Sequence, residues 1–282
     1  MLVFGPARPL AAASIVKTIT SRRNPLVKRY RDAAESGLDE VVLDGAHLVE
    51  EAARAGIGVR VLAWSPRGAQ LPGVRPLVER FEKAGVECWP VTDAVLRAMS
   101  PVQSPSGVVA LADRPAVTLA QALKPRPQLV LVAVDVQDPG NVGAIVRATE
   151  AGGGTAVLLA GASADPFGWK ALRGSMGSSF RLPVVRAGRP ETLSALRMHG
   201  IRVIATSPRA SRSLFEADLR GPVALLVGAE GAGLPEDVIA GADETVRIPM
   251  REPVESLNVA VAAALLVYEA SRQRGADVFR GP

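Results

Sequence analysis

An unbroken apolar run, "LVLVAV" at residues 129–134, constrains the fold of this chain more than any other feature. A strand with one face in solvent alternates polar and apolar side chains, whereas a strand covered by helices on both faces is apolar throughout. Strand-like segments recur after this run, most of them separated by helix-like stretches: "TAVLLAG", "RLPVV", "IRVIATS", "PVALLVG" and "ETVRIPM". This alternation predicts an α/β fold with a parallel sheet and crossover connections.

The residues before the run predict a smaller α/β unit. "EVVLDGAHLVEEAARAG" is typical of a strand, a tight turn and a helix. Further strand-like and helix-like segments follow: "VRVLAWS", "RPLVERFEKAG", "VECWPV", "TDAVLRAMS" and "SGVVALAD". Residues 114–128 carry three prolines and no sustained strand period, which indicates a boundary. We therefore predict a domain of residues 1–112, a linker of residues 113–127 and a second domain of residues 128–282.

The totals describe a soluble globular chain, with 48% hydrophobic and 22% charged residues. Cys88 is the only cysteine, which excludes an intramolecular disulfide and a cysteine-rich metal site. The longest helix-compatible apolar stretch, Leu257 to Tyr268, is well short of the roughly 20 residues that a membrane span needs. The first 17 residues have no basic region before their apolar part and contain Pro6 and Pro9, which argues against a secretory signal. We expect no metal, no membrane span and a reducing, cytoplasmic setting.

The positive charge of the chain, net +5, is unevenly distributed. Residues 1–31 contain seven basic residues and no acidic one: Arg8, Lys17, Arg22, Arg23, Lys28, Arg29 and Arg31. A basic block of this kind indicates a polyanionic partner such as nucleic acid. A solvated helix face or an organelle-targeting segment would carry the same composition, so the block alone does not decide between them.

Three polar or glycine-bearing segments follow predicted strands in the second domain: "DVQDPGNVGAIVR", "GAEGAGLP" and "IPMREPVESLN". In open α/β sheets ligands bind beyond the carboxyl ends of the strands, so these segments are candidate binding loops. The first segment has neither the Lys-Ser/Thr of a phosphate loop nor the G-x-G-x-x-G spacing of a dinucleotide site, which disfavours a nucleoside triphosphatase and an oxidoreductase. Neither His47 nor His199 lies in these loops, which disfavours a Ser-His-Asp hydrolase.

The polar side chains of these loops also have purely structural interpretations. Asn141 and Ser256 are each placed to cap a helix, and Arg147 could pair with an acid on a solvated face. The G-x-x-G-x-G spacing of residues 228–233 is typical of a tight turn, with Glu230 beside a helix N-terminus. Taken one at a time, each residue is at least as well explained by structure as by function.

Taken together and in this order, the three segments resemble the signature motifs of the SpoU/TrmH family of RNA ribose 2′-O-methyltransferases, in the SPOUT superfamily. "DPGNVGAIVRATEAGG" is similar to the first motif, "LLVGAEGAGLP" to the second and "IPMREPVESLNVAVAAALL" to the third. "KALRGSMGSSFRLPV" also resembles a stretch that family members carry, so the resemblance covers about residues 128–274. Through "ITSRRNPLVKRYRDA" and "DGAHLVEEAARAG", the first domain resembles the family's ribosomal-protein-like substrate-binding domain.

Two positions depart from the family pattern. Asp44 stands where a glutamate is usual, and Ala229 stands where an asparagine is common. Alanine at the second position also occurs in members that act on ribosomal RNA, so it favours that branch of the family.

The resemblance implies an α/β fold whose C-terminal part forms a deep trefoil knot that binds S-adenosylmethionine, and a homodimer with the active site near the subunit interface. The residues implied for catalysis are Arg147, Asn141, Glu230, Ser256 and Asn258. Those implied for cofactor binding are Gly228, Ala229, Glu230, Gly231, Ile248, Met250, Ser256, Leu257 and Asn258. Those implied for RNA binding are Arg22, Arg23, Asn24, Lys28, Arg29 and Arg147.

The implied function is transfer of a methyl group from S-adenosylmethionine to a ribose 2′-hydroxyl of RNA, with 23S-type ribosomal RNA favoured. A tRNA-methylating enzyme and a catalytically silent RNA-binding or ribosome-assembly factor on the same fold are the alternatives. Family members are proposed to use the motif-one arginine, here Arg147, to take the hydroxyl proton. Because a guanidinium is normally always protonated, Arg147 is either a neutral base or a charge that orients the RNA phosphate.

Overall fold

The structure is a computed structural model that describes residues 17–124 and 128–275. The chain divides into two compact units, Met1–Pro115 with Phe167–Leu172 and Ala116–Pro166 with Arg173–Pro282. The predictions made on residues 1–16, among them Arg8 and the missing secretory signal, lie outside the described residues. So do residues 125–127 of the predicted linker.

The first unit contains a four-stranded sheet flanked by helices. Its strands are β1 (Glu40–Asp44), β2 (Val59–Trp64), β3 (Glu87–Pro90) and β4 (Val108–Asp113), in the order β1-β4-β2-β3. Its helices are α1 (Pro25–Ser36), α2 (Ala46–Arg54), α3 (Val74–Lys83) and α4 (Asp93–Met99). β4 is antiparallel to both of its neighbours, whereas β2 and β3 are parallel. The strands and helices predicted for this part of the chain are present.

Helix α1 is one element that the sequence pattern did not assign. The side chain of Asn24 accepts a hydrogen bond from the Leu26 amide at 2.9 Å, and Pro25 occupies the first turn, where no amide donor is needed. Tyr30 on its inner face is fully buried, and its hydroxyl donates to the carbonyls of Val61 and Val109. This burial raises the pKa of Tyr30. The helix is therefore fixed by its cap and by one buried face.

The second unit is built on a six-stranded sheet in which every neighbouring pair is parallel. Its strands are β5 (Leu129–Val134), β6 (Ala156–Ala160), β7 (Val184–Ala187), β8 (Arg202–Thr206), β9 (Val223–Val227) and β10 (Glu244–Val246). All six residues of β5 are buried, as a strand covered on both faces requires. The predicted α/β fold with a parallel sheet is confirmed.

The remaining helices connect or cover these strands. They are α5 (Leu119–Ala122), α6 (Pro139–Ala151), α7 (Trp169–Ser175), α8 (Ser178–Arg181), α9 (Arg189–Met198), α10 (Glu236–Ala240) and α11 (Val259–Arg274). Helix α5 lies inside the predicted linker, where Thr118 and Gln121 form a reciprocal cap. Helices α7 and α8 were not predicted. Strand β10 is shorter than the predicted strand "ETVRIPM" and stops before Arg247, whose amide donates to the carbonyl of Arg212.

The strand order β10-β8-β9-β5-β6-β7 positions the candidate site. From β5 the chain adds β6 and β7 on one side, and the later strands all lie on the other side. Such a reversal opens a crevice beyond the carboxyl ends of the strands beside it, here β5 and β9. Ala133 and Val227 are paired in the register of these two strands, so the loops that follow them begin side by side.

Candidate active site

Asn141, Glu230 and Asn258 meet at the carboxyl edge of the second sheet. Asn141 lies in the first turn of α6, Glu230 in the loop after β9, and Asn258 immediately before α11. Asp138 caps α6, because its carboxylate accepts from the Asn141 amide at 2.8 Å. The interpretation of Asn141 as the cap is therefore wrong, and its side chain is left to contact the other loops.

One carboxylate oxygen joins the three residues. Glu230 Oε1 accepts from Asn258 Nδ2 at 2.6 Å and from Asn141 Nδ2 at 3.1 Å. It also accepts from the backbone amide of Val259 at 3.4 Å, at the start of α11. Asn258 Nδ2 lies 3.0 Å from Asn141 Oδ1 and donates to it as well. These four contacts define what we call the Asn-Glu-Asn cluster, and they fix the direction in which the Glu230 carboxylate points.

Asn258 also begins α11. Its Oδ1 accepts from the amides of Ala260 at 3.0 Å and Val261 at 3.3 Å, which is the geometry of a helix cap. The interpretation of Ser256 as the cap is therefore wrong. One amide side chain thus links the stability of the last helix to the position of Glu230.

A cavity of about 700 Å³ adjoins the cluster. Eight of the nine residues predicted to bind the cofactor line it: Gly228, Ala229, Glu230, Gly231, Ile248, Met250, Ser256 and Leu257. The ninth, Asn258, hydrogen-bonds to Glu230 in its wall. Residues that the sequence reasoning missed also line it, notably Arg209, Glu236 and Glu255. Arg209 follows β8, and the pairing of β8 with β9 brings it to the cavity wall; this pairing leaves no local signal in the sequence.

Gly228 is required by the shape of this wall. A Cβ at that position would lie 2.2 Å from the carbonyl carbon and oxygen of Gly233 and 2.4 Å from the Leu234 nitrogen. The loop folds back on itself here, and the Gly233 amide donates to the carbonyl of Ala229 at 2.9 Å. The wall beside Gly228 therefore consists of closely packed backbone, which a side chain would push apart.

Arg147 is not brought to the Asn-Glu-Asn cluster. It lies on α6 six residues after Asn141, so the two side chains leave the helix about 120° apart. Arg147 is exposed, and it makes no hydrogen bond or ion pair within residues 17–124 and 128–275. The surface ion pair considered for it is thus not formed in that part of the chain.

The predicted RNA-binding residues of the first unit differ in whether their side chains already have partners within the protein. Asn24 caps α1, and Lys28 pairs with Asp32 at 2.5 Å. Arg29 donates to both carboxylate oxygens of Glu40, at 2.9 and 2.6 Å, and the hydrogen bond to that carboxylate raises the pKa of Arg29. The other two, Arg22 and Arg23, are exposed, and their guanidinium groups form no ion pair with any residue that the structure describes.

Residues 128–268 match the SpoU rRNA Methylase family, and this span contains β5, the cluster and every residue that lines the cavity. The chain belongs to the SpoU rRNA methylase family. The resemblance inferred from the three motifs is thereby confirmed, and so is the class of enzyme, a methyltransferase.

Related proteins match almost the whole chain. The 23S rRNA (guanosine(2553)-2′-O)-methyltransferase RlmP of Bacillus subtilis is 33% identical over 258 residues, which cover 90% of this chain and 98% of RlmP. The 23S rRNA (uridine(2479)-2′-O)-methyltransferase of Streptomyces viridochromogenes is 32% identical over 242 residues, 83% of each chain. The crystal structure of an AdoMet-bound rRNA methyltransferase from Sinorhizobium meliloti superposes with a TM-score of 0.81 at 29% identity, covering 91% of this chain and 97% of that one.

Two further features concern the described residues. No group of three or more histidine, cysteine, aspartate or glutamate side chains within them is arranged to hold a metal ion. In the same ranges, no helix is both long and apolar enough to cross a membrane.

Proposed function

We propose that this chain transfers a methyl group from S-adenosylmethionine to a ribose 2′-hydroxyl of 23S-type ribosomal RNA. The observation that carries the proposal is the Asn-Glu-Asn cluster at the wall of the cavity, in a chain that belongs to the SpoU rRNA methylase family. Relatives named as 23S rRNA 2′-O-methyltransferases and AdoMet-bound neighbours support the same activity and the same cofactor.

The cavity fits S-adenosylmethionine. An adenosine carries no phosphate, and the backbone around Gly228 with the side chains of Ile248 and Leu257 offers hydrogen-bonding and apolar surface for it. Glu230, Glu236 and Glu255 face the same space and suit a ligand with a cationic sulfonium and ammonium. The cofactor supplies an electrophilic methyl group, and the chain must orient the hydroxyl that receives it.

The cluster orients the groups of the chain that adjoin this reaction. Because Glu230 Oε1 already accepts three hydrogen bonds, the direction of its carboxylate is set before any substrate binds. Asn141 holds it from the first turn of α6 and Asn258 from the cap of α11, so a shift of either helix moves the carboxylate. Holding reactants in near-attack geometry is worth an effective molarity of about 10⁵ to 10⁸ M, which needs no metal or histidine.

Arg147 acts on the ribose hydroxyl or on the RNA phosphate next to it. Its exposure and its separation from the cluster within one chain support delivery from a second copy, and this links the role of Arg147 to a homodimer. Both versions of its chemistry, a neutral base and an orienting charge, need the planar guanidinium.

A homodimer formed through α11 is supported by an apolar stripe. Val261, Leu265 and Tyr268 follow each other at helical spacing and are 50%, 40% and 45% exposed. Single exposed apolar residues are ordinary, but three on one helix face favour burial against another surface. Sedimentation of the wild type and of Leu265→Lys tests this; a wild type that sediments as a monomer contradicts it.

The finer features of the fold belong to the same proposal. Residues 1–112 form the RNA-binding domain, residues 113–127 the linker and residues 128–282 the catalytic domain. A deep trefoil knot in the last part is supported by the path of the chain, which leaves β10 at the sheet edge and returns to pack α11 on α6, β9 and β5. A crystal structure in which the C-terminal segment does not pass through a loop of the backbone would contradict the knot.

The exposed guanidinium groups of Arg22 and Arg23 support RNA docking by the first unit. A ribosomal RNA substrate supports a cytoplasmic location of the protein. Deleting residues 1–112 is expected to weaken RNA binding and to leave cofactor binding. An unchanged RNA affinity would count against a docking role.

Methyl transfer to purified RNA tests the proposed activity. Ribosomal and transfer RNA from a strain lacking this protein are incubated with the enzyme and labelled S-adenosylmethionine, alongside the isosteric variant Glu230→Gln. We expect label in 23S rRNA with the wild type and strongly reduced label with Glu230→Gln. Label in tRNA alone would favour the tRNA enzyme, and RNA binding without label in either RNA would favour the silent assembly factor.

A further inference from the structure

A strained elbow stands beside the Asn-Glu-Asn cluster. Between α7 and α8, Met176 and Gly177 both have left-handed backbone, with φ of 51° and 91°. Glycine adopts this conformation freely, but a residue with a Cβ does so only at an energetic cost. Burial of the side chain does not offset this cost, since Met176 is 43% exposed. Strain that a protein retains without a packing reason points to function at that place.

The elbow, which we define as Arg173–Gly177, is fixed against the start of α6. A Cβ added to Gly174 would lie 3.2 Å from the Gly140 carbonyl oxygen and 3.3 Å from the Gly143 Cα. These two residues flank the turn that carries Asn141. The close backbone approach therefore holds the elbow next to one of the two asparagines that orient Glu230.

The elbow also carries a cation. Arg173 is exposed, and its guanidinium makes no hydrogen bond or ion pair with the residues that the structure describes. An exposed guanidinium is well suited to bind a phosphate, and an exposed thioether side chain adapts to the surface of a sugar or base. A cation and an apolar side chain three residues apart in the chain match the two parts of a nucleotide.

We propose that the elbow is a wall of the RNA site, in which Arg173 binds a phosphate beside the target nucleotide and Met176 packs against the sugar and base of that nucleotide. This inference rests on the proposed function and names residues that select and position its substrate. The strained backbone of Met176 then serves to keep its side chain exposed toward RNA.

The variant Met176→Gly separates this role from a structural one. Glycine relieves the left-handed strain, so the hydrogen-exchange protection of α7 and α8 is expected to stay the same or rise. RNA affinity is expected to fall by roughly three- to tenfold, for the loss of a half-exposed apolar side chain that RNA would bury. Met198→Ala is the matched control, since Met198 is 81% exposed elsewhere in the same unit and should bind RNA like the wild type.

The variant Arg173→Ala tests the phosphate contact through salt dependence. Loss of one phosphate contact lowers the slope of log K against log salt concentration by about 0.7 to 0.9. Arg186→Ala removes the same charge from an exposed position on β7 and is expected to keep the wild-type slope. Binding of S-adenosylmethionine, measured by calorimetry, should be unchanged in all of these variants.

The outcomes distinguish the inference from the function on which it rests. Weaker RNA binding by Met176→Gly without loss of hydrogen-exchange protection in α7 and α8, together with a reduced slope for Arg173→Ala alone, supports the elbow as an RNA contact. Wild-type RNA affinity in both variants, or equal slope changes for Arg173→Ala and Arg186→Ala, overturns it while methylation by the wild type stands. A wild type that methylates no RNA defeats the proposed function itself, and the inference with it.

Discussion

Replacing Asn258 separates the two tasks of its amide, because the oxygen and the nitrogen have different partners. Oδ1 caps α11 through the amides of Ala260 and Val261, and Nδ2 donates to Glu230 and Asn141. Asn258→Ala removes both sets of contacts. Asn258→Ser keeps an oxygen that can cap a helix and removes only the donor. We expect the two variants to differ in stability and to agree in activity.

The magnitudes follow from the contacts. Replacing a capping side chain by alanine costs about 1 kcal/mol. The two bonds made by Nδ2 join exposed residues, so each contributes about 0.5 kcal/mol, at the low end for a hydrogen bond. Asn258→Ser should therefore cost about 1 kcal/mol and Asn258→Ala about 2 kcal/mol, or roughly fivefold and thirtyfold in the local opening equilibrium.

Hydrogen exchange of the first two turns of α11 measures this directly. A single unfolding transition is ill defined for a chain of two units, whereas exchange reports local opening. Single-turnover methyl transfer is measured on the same samples and is expected to fall about a hundredfold in both variants, because the carboxylate of Glu230 loses its fixed direction. Thr118→Ala removes the cap of α5 in the same unit and is expected to leave activity unchanged.

Two results would refute this reasoning. One is unchanged exchange at the start of α11 in Asn258→Ala, which would mean that the cap contributes nothing. The other is wild-type turnover by Asn258→Ser, which would mean that the Nδ2 contacts do not position the catalytic group.

Three other changes test separate parts of the structure. Gly228→Ala should abolish binding of S-adenosylmethionine, because its Cβ would lie 2.2 Å from the backbone of Gly233, whereas Gly221→Ala, with no atom within 4 Å of the new Cβ, should bind normally in calorimetry. Arg147→Lys should abolish turnover, because a point charge does not reproduce the planar guanidinium, and near-normal methyl transfer would exclude Arg147 from catalysis. Cys88 should react with a thiol reagent at pH 8 more slowly than an ordinary thiol, because burial raises its pKa to about 12 and leaves little thiolate. Fast labelling of the native protein would contradict that burial.

Much of the second unit follows from its sequence. The apolar run of β5 predicted a strand covered on both faces, and the regular alternation predicted parallel pairing. Parallel strands share one carboxyl edge, so the three polar segments after β5, β9 and β10 were expected at the same edge of the sheet. The common edge of Asn141, Glu230 and Asn258 is therefore predictable from the sequence pattern, whereas their direct contact depends on the strand order.

The capping residues and the order of the strands could not be predicted from the sequence. Asp138 followed by Pro139 is the stronger helix-start signal, but Asn141 three residues later is also a good capping residue, so the sequence does not distinguish the two as the cap. Strand order is decided by packing between distant segments, so the place of β8 beside β9, and with it Arg209 in the cavity wall, could not be read from local patterns. The left-handed backbone of Met176 gives no local signal, because glycine would be expected there.

The position of the transferred methyl group is the measurement that tests the central claim most directly. Label from S-adenosylmethionine is incorporated into 23S rRNA, the RNA is hydrolysed in alkali, and the products are identified by mass spectrometry. A methylated 2′-oxygen cannot attack the adjacent phosphate, so we predict a single labelled, alkali-resistant dinucleotide whose yield is strongly reduced with Glu230→Gln. Label that leaves as an ordinary mononucleotide, with the methyl group on a base, would contradict it.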